Sequence, residues 1–223
     1  MRTPLTALNG YIEGLIDGVF AATPEILHAA SDELRRLGRL ADDLSALSRA
    51  EEQRLDLHPA DADLADLAQK AATRLAPQFS DSHVTLSVRA PATLPVRVDP
   101  DRITQVLTNI IGNALIATPA AGTVTVTARA AGGQAEVAVA DTGAGLAADD
   151  LERVFDRFYR APGQPRRSSG SGIGLTIARN IARAHGGDVT ATSAGLGRGA
   201  TFTLTLPLHA GGTTQATPMT VVP

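Results

Sequence analysis

Leu5, Leu8, Ile12, Leu15 and Val19 recur at alternating intervals of three and four, the period of one face of a helix. Thr23-Pro24 then supplies a helix start with proline at the first position. A second run follows through Leu27, Ala30, Leu34, Leu37, Ala41 and Leu44, with Leu40 and Leu47 on its flank. The spacing predicts two amphipathic helices joined as an antiparallel hairpin. Its apolar stripe is wider than one hairpin can cover, whereas two hairpins packed as a four-helix bundle can cover it. A homodimer is the first expectation, and docking of the hairpin on the rest of its own chain is the alternative. From Glu51 to Asp63 the period lapses, and Leu55, Leu57 and Pro59 read as an extended linker.

Beyond the linker the pattern changes to α/β. A helix is predicted from about Leu64 to Leu75, then strand-like alternation at Val84, Leu86 and Val88 and a short extended piece from Val96 to Val98. A helix from Asp101 to about Ala117 and strands over Val124 to Ala128 and Ala135 to Ala140 come next. Helices from about Ala148 to Phe158 and Gly172 to His185, and strands around Asp188 to Ser193 and Thr201 to Leu206, complete the series. Alternation at Val124 and Val126, and at Phe202, Leu204 and Leu206, buries one sheet face and leaves the other partly wet. The expected fold class is α+β: a helical hairpin over residues 1–52, a linker over 53–63 and a mixed sheet with helices on one face over 64–208. A Gly, Thr and Pro-rich tail over 209–223 is expected to be flexible.

Composition narrows the chemistry. With 223 residues, 43% apolar, the chain suits one or two compact domains, but five phenylalanines, two tyrosines and no tryptophan leave the core to Leu, Ile, Val and Ala. A net charge of -3 offers no polybasic surface, so nucleic acid is not an expected partner. The lack of cysteine excludes disulfides, thiolate nucleophiles and cysteine-ligated metals. Lys70 is the single lysine, which removes any lysine-based phosphate loop. No window reaches the roughly 18 consecutive apolar residues of a membrane-spanning helix, and no signal-peptide pattern opens the chain. A cytoplasmic location is expected.

Four clusters carry candidate chemistry. Asn109-Ile-Ile-Gly-Asn113 sets two amides on one helical face, where amide oxygens can hold a hydrated Mg2+ and amide nitrogens can meet phosphate, or where both can be plain surface amides. Asp141-Thr-Gly143-Ala-Gly145 ends an apolar strand. Its carboxylate can accept from an exocyclic amine while the glycines admit a flat base, or it can close a sharp turn through an Asx bond. Val154-Phe155-Asp-Arg-Phe158-Tyr159-Arg160 concentrates three aromatics, ordinarily a local core plug. Ser168-Ser-Gly170-Ser-Gly172-Ile-Gly174-Leu175 leads into a helix whose free N–H groups aim at an anion.

In this order, followed by Gly195-Leu-Gly197-Arg-Gly199-Ala-Thr201-Phe202, the clusters resemble the N, G1, F, G2 and G3 boxes of sensor histidine kinases. Arg2-Thr3-Pro4-Leu5 resembles the tail of that family's H-box, and the likeness spans roughly residues 1 to 207. It implies a dimerisation and phosphoacceptor hairpin followed by an ATP-binding α/β sandwich of the gyrase, Hsp90, histidine kinase and MutL type. It further implies Mg2+ at Asn109, phosphates at Asn113 and Arg160, and the adenine amino group at Asp141. Gly143, Gly145 and Thr201 would shape the base pocket. Gly170, Gly172, Gly174 and Leu175 would form the hinge and helix start under the phosphates, with Ala161 to Ser169 as a lid. Thr3 would help orient water when the response regulator is dephosphorylated, and Pro4 would bend the helix. The implied partners are a second copy of the chain and a response regulator receiver domain. A membrane would be reached only through segments upstream.

Two departures qualify the resemblance. Met1 stands two residues after the place of the phosphoacceptor histidine, and none of His28, His58, His83, His185 or His209 has flanks to replace it. A piece of a longer membrane-anchored sensor is expected, with a split kinase acting on a partner's histidine as the alternative. Ile116 and Ala117 stand where the family often has a basic and an aromatic residue, so ATP binding is expected to be weak. A non-catalytic dimerisation and regulator-binding module is a further alternative. Relatives that hydrolyse ATP carry a carboxylate at the place of Asn109, and the amide there favours phosphotransfer.

Overall fold

A computed structural model describes residues 9–10, 12–27, 29–31, 56–90, 93–161 and 172–209. Residues 12–16 and 24–27 are helical, and Thr23 opens the second run as expected: its carbonyl accepts from Leu27 N–H at 3.1 Å and its hydroxyl from Ile26 N–H at 3.5 Å. Ile12, Ile16, Val19 and Leu27 are exposed, so the described part of the N-terminal apolar stripe has an open face. The rest of the predicted second helix, Thr3, Pro4, Gly170, most of the expected lid and the C-terminal tail lie outside the described residues.

The expected linker differs at its end. Ala60–Asp63 forms β1, antiparallel to β3 (Pro95–Val98), so part of the stretch is built into a two-stranded sheet. Asp63 explains the placement: its Oδ1 accepts from Ala65 N–H at 3.0 Å, capping α1 (Leu64–Asp81), and from Leu94 N–H at 2.9 Å, tying the cap to β3. Helix α1 runs six residues beyond its predicted end and passes through Pro77. Phe79, only 2% exposed, anchors the last turn in the core and offsets the lost helical hydrogen bond.

Strand β2 (Thr85–Arg89) pairs in parallel with β4 (Thr123–Ala131), and β4, β5 (Gln134–Asp141), β7 (Ala200–Pro207) and β6 (Asp188–Ser193) continue antiparallel in the order β2-β4-β5-β7-β6. Val124 and Val126, Val137 and Val139, and Phe202, Leu204 and Leu206 point to one buried face, while the threonines between them stay half-buried on the other. Helices α1, α2 (Pro100–Ala117) and α4 (Gly174–Ala184) pack on the buried face, as the strand alternation requires. Asp99 caps α2 through N–H groups of Asp101 and Arg102, both at 3.1 Å, and Ile103, Val106, Leu107, Ile110 and Ile111 give it a fully buried stripe.

The helix predicted over Ala148 to Phe158 is a single turn, α3 (Asp150–Arg153), followed by turns. The chain leaves the helix so that Phe155 meets Phe202 edge-on at 6.3 Å, and Phe158 takes a left-handed φ of 61° and donates its N–H to Gly172 at 2.9 Å. Behind this turn, Arg179 of α4 donates to Asp188 from Nε at 3.0 Å and Nη2 at 3.3 Å, and to Glu152 from Nη1 at 2.7 Å. Arg183 reaches the same Asp188 from Nε at 3.0 Å. No described helix is long and apolar enough to cross a membrane.

Burial alone pushes the Asp188 carboxyl up, but hydrogen bonds from Arg179, Arg183 and Val189 N–H outweigh it and hold the group at about 2. A depressed carboxyl contributes stability above its ordinary value near 3.8 that is lost as pH falls through about 2. Urea melts of Asp188→Asn should therefore show a flatter loss of stability over that acid window than the unaltered chain. Parallel curves there would show that Asp188 does not carry the effect.

Candidate nucleotide site

Asp141 ends β5 and is 7% exposed, on the same sheet face as Val137 and Val139. Its Oδ1 accepts from Gly143 N–H at 2.8 Å and Ala200 N–H at 3.3 Å. Its Oδ2 is buried with no hydrogen-bond partner among the described residues. A buried polar atom left unsatisfied is costly, and such an atom in a cleft is an acceptor waiting for a donor. Burial pushes the Asp141 carboxyl up, against the lowering pull of the Gly143 and Ala200 N–H groups.

A small cleft of about 20 Å³ opens beside Asp141. Asn113 and Ala117 of α2 line one side, Leu146 and Val154 another, and Leu175, Ala200 and Phe202 close it. Apart from Asp141 and Asn113 the walls are apolar, the composition of a pocket for a flat, largely apolar group with one amine to satisfy.

Two glycines allow the backbone to close around the carboxylate. A Cβ on Gly143 would lie 2.2 Å from the Ala117 carbonyl oxygen, whose loop neighbour Ala144 donates its N–H to that oxygen at 3.1 Å. Gly199, at φ +69°, passes so near Asp141 that a Cβ would sit 1.9 Å from the Asp141 carbonyl oxygen. Gly199 N–H donates to Gly143 carbonyl at 3.1 Å and Gly197 N–H to Ala144 carbonyl at 2.6 Å, so the two glycine loops are laced together. Ser193 Oγ joins them: it accepts from Leu146 N–H at 3.0 Å and Gly195 N–H at 3.2 Å, and donates to the Gly199 carbonyl at 2.6 Å. Neither Ser193 nor Ala200 was singled out by sequence. Ala200 directly follows Gly199 and Ser193 stands two residues before Gly195, and that nearness to the motif's glycines is the signal that could have found them.

The other expected residues divide. Asn113, Gly145 and Leu175 line the cleft with Asp141. Asn109, one turn earlier, donates from Nδ2 to the Gly174 carbonyl at 3.0 Å, which fixes the amide orientation and ties α2 to the start of α4. A Cβ on Gly174 would make only ordinary contact with Asn109, so space does not dictate glycine there. Gly172, at φ +72°, packs on the Phe158 backbone. Arg160 is exposed and does not line the Asp141 cleft. Thr201 is a correction: it pairs with Ala140 on the opposite sheet face from Asp141, and the β7 residues in the cleft are Ala200 and Phe202. Strand side chains alternate, so its neighbours point inward where it cannot. Among the described residues no cluster of His, Asp or Glu could hold a metal by itself. A Mg2+ ion would rest on the Asn109 amide oxygen and the phosphates it accompanies.

The profile described as Histidine kinase-, DNA gyrase B-, and HSP90-like ATPase matches residues 98–210, and that of the His Kinase A (phospho-acceptor) domain matches residues 1–53. The signal transduction histidine-protein kinase BaeS of Escherichia coli is 35% identical over 210 residues, 94% of this chain and 45% of that protein. Sensor histidine kinase WalK of Bacillus subtilis is 36% identical over 214 residues, 93% of this chain and 35% of that protein. The chain thus spans less than half the length of these curated relatives. Among solved structures, Acinetobacter baumannii histidine kinase AdeS superposes with a TM-score of 0.78 at 26% identity, covering 93% of this chain and 96% of that one. Full-length ShkA, solved in complex with AMPPNP, gives 0.70 at 28% identity over 91% of this chain and 43% of that one. With both profiles in chain order and a five-stranded ATPase sheet behind the Asp141 cleft, the chain belongs to the sensor histidine kinase family of two-component systems.

Proposed function

We propose that this chain is the catalytic core of a two-component sensor histidine kinase, binding Mg-ATP for phosphoryl transfer to a histidine and then to an aspartate of a response regulator. The observation that carries the reading is the unpartnered Oδ2 of Asp141, a buried acceptor in an apolar cleft. The adenine amino group supplies the missing donor, and Leu146, Val154 and Leu175 contact the base. Guanine would bring a carbonyl oxygen to the same carboxylate, so the cleft favours adenine. Phosphates extend along α2 toward Asn109, whose fixed amide leaves its oxygen to a Mg2+ ion. That ion supplies charge neutralisation on the transferring group. Asn113 lies between base and phosphates, and Arg160 reaches them from the chain just past the aromatic cluster. The open face at Ile12, Ile16, Val19 and Leu27 supports pairing of two hairpins, on which the receiver domain would dock, with Thr3 in the role that the resemblance implies. Placement of the chain in the cytoplasm, below a membrane anchor upstream, belongs to the same reading.

The second reading, a regulator-binding module with weak nucleotide affinity, rests on Ile116, half-buried beside the cleft where a cation would meet phosphate. Losing one charge-assisted hydrogen bond costs about 1.5–3 kcal/mol, or roughly tenfold to a hundredfold in affinity.

Three outcomes are expected. In Asp141→Asn, an amide that keeps its oxygen on the Gly143 and Ala200 N–H groups turns its NH2 on the base. Affinity for a fluorescent ATP analogue should fall by about tenfold or more; unchanged affinity would remove Asp141 from the base site. Ile116→Lys should bind the same analogue more tightly than the unaltered chain, and equal binding would acquit Ile116. Mixed with labelled ATP and a histidine-bearing hairpin, the chain should label the hairpin. Binding without transfer would favour the module.

A further inference from the structure

Three walls of the cleft come from three separate elements. Val154 belongs to the turn after α3, Leu175 to the first turn of α4 and Phe202 to β7, and the sheet fixes only the last of these. Directly behind them stands Arg179. It is 14% exposed, with its guanidinium carbon 4.4 Å from the ring centroid of Phe155. Its three hydrogen bonds run to two elements, Glu152 of α3 and Asp188 of β6. Phe155, next to the wall residue Val154, meets the wall residue Phe202 edge-on, and its carbonyl accepts from Thr176 Oγ1 at 2.7 Å, next to the wall residue Leu175. Phe155 thus meets all three walls, by sequence at Val154, through its ring at Phe202 and through its carbonyl at the neighbour of Leu175, and Arg179 lies on its ring.

We propose that Arg179 is a positioning residue of the nucleotide cleft, setting the spacing of Val154, Leu175 and Phe202 through Phe155 without touching the nucleotide. The proposal rests on the reading of the Asp141 cleft as the adenine site. Chemistry favours arginine in this role. A planar guanidinium can lie on a ring face while its edge donates to two carboxylates, whereas an ammonium cannot direct three bonds in one plane. The Asp188 arm of the network contributes stability, but the Glu152 arm contributes little, since Glu152 is 80% exposed. Its outcome is geometry, in an element of one helical turn that could not hold its own position.

Calorimetric titration of the full chain with Mg-ADP and Mg-ATP, well below the unfolding temperature, tests this. Arg179→Met should lose about tenfold or more in affinity for both nucleotides by the same factor, because the disturbed walls face the base and not the γ-phosphate. Arg179→Lys, which keeps the cation, should recover most of that loss but stay about threefold weaker than the unaltered chain. An Arg179→Met variant that melts earlier yet binds both nucleotides with unchanged affinity would overturn the proposal, as would a selective loss for ATP. If Arg179→Met does not fold, Arg179→Lys decides, and binding equal to the unaltered chain overturns the proposal. Failure of the unaltered chain to bind either nucleotide overturns the adenine reading and the proposal with it; binding insensitive to position 179 overturns the proposal alone.

Discussion

The organising interaction is the pair of backbone N–H groups, from Gly143 and Ala200, that share Oδ1 of Asp141. One donor lies two residues on in the same loop and the other on the neighbouring strand, so the bond pair exists only when β5 and β7 are in register and the two glycine loops are interlocked. It consumes one carboxylate oxygen and leaves the other bare. A fully satisfied aspartate would be a structural staple; a half-satisfied one couples the integrity of the sheet end to the readiness of the cleft. The folded chain tolerates that unsatisfied oxygen because the surrounding core is well packed, with Ile110, Val139 and Leu204 fully buried.

Much of this was legible from the chain alone. The period-two stretches gave β4, β5 and β7 within one to three residues, and the helices expected from Leu64 and Asp101 start at Leu64 and Pro100. Asp141, Asn113 and Leu175 came together as the motif order implied. What failed had tertiary causes. The expected end of α1 at Leu75 falls short because the burial of Phe79, invisible to a local rule, carries the helix on through Pro77. The stretch from Val154 to Phe158 has helical composition, but Phe155 is drawn toward Phe202 from another part of the sequence and the helix stops. Thr201 was misassigned by parity: a strand presents alternate residues, so an assignment one position off lands on the wrong face of the sheet.

Arginine bias changes meaning in this light. Nineteen of the basic residues are arginine, which reads as a coding habit, yet Arg179 occupies a place where arginine's planar fork serves better than lysine. Arg153 over the ring of Tyr159, itself donating to buried Asp150, repeats the pattern one turn away. The aromatic cluster is therefore less a core plug than a set of ring faces on which cations are seated between helix and loop.

The Asn109 amide, finally, bears on how this scaffold can change its chemistry. Its nitrogen is committed to the Gly174 carbonyl. An aspartate at 109 would turn a carboxylate oxygen toward that carbonyl, with two acceptors and no proton between them, and the join of α2 to α4 would open. On the proposed reading, conversion from group transfer to hydrolysis would thus not be a single step for this chain. The start of α4 would have to be rebuilt first, and a mutational path that leaves the helix start alone is closed by electrostatic repulsion and not by any loss of the catalytic idea.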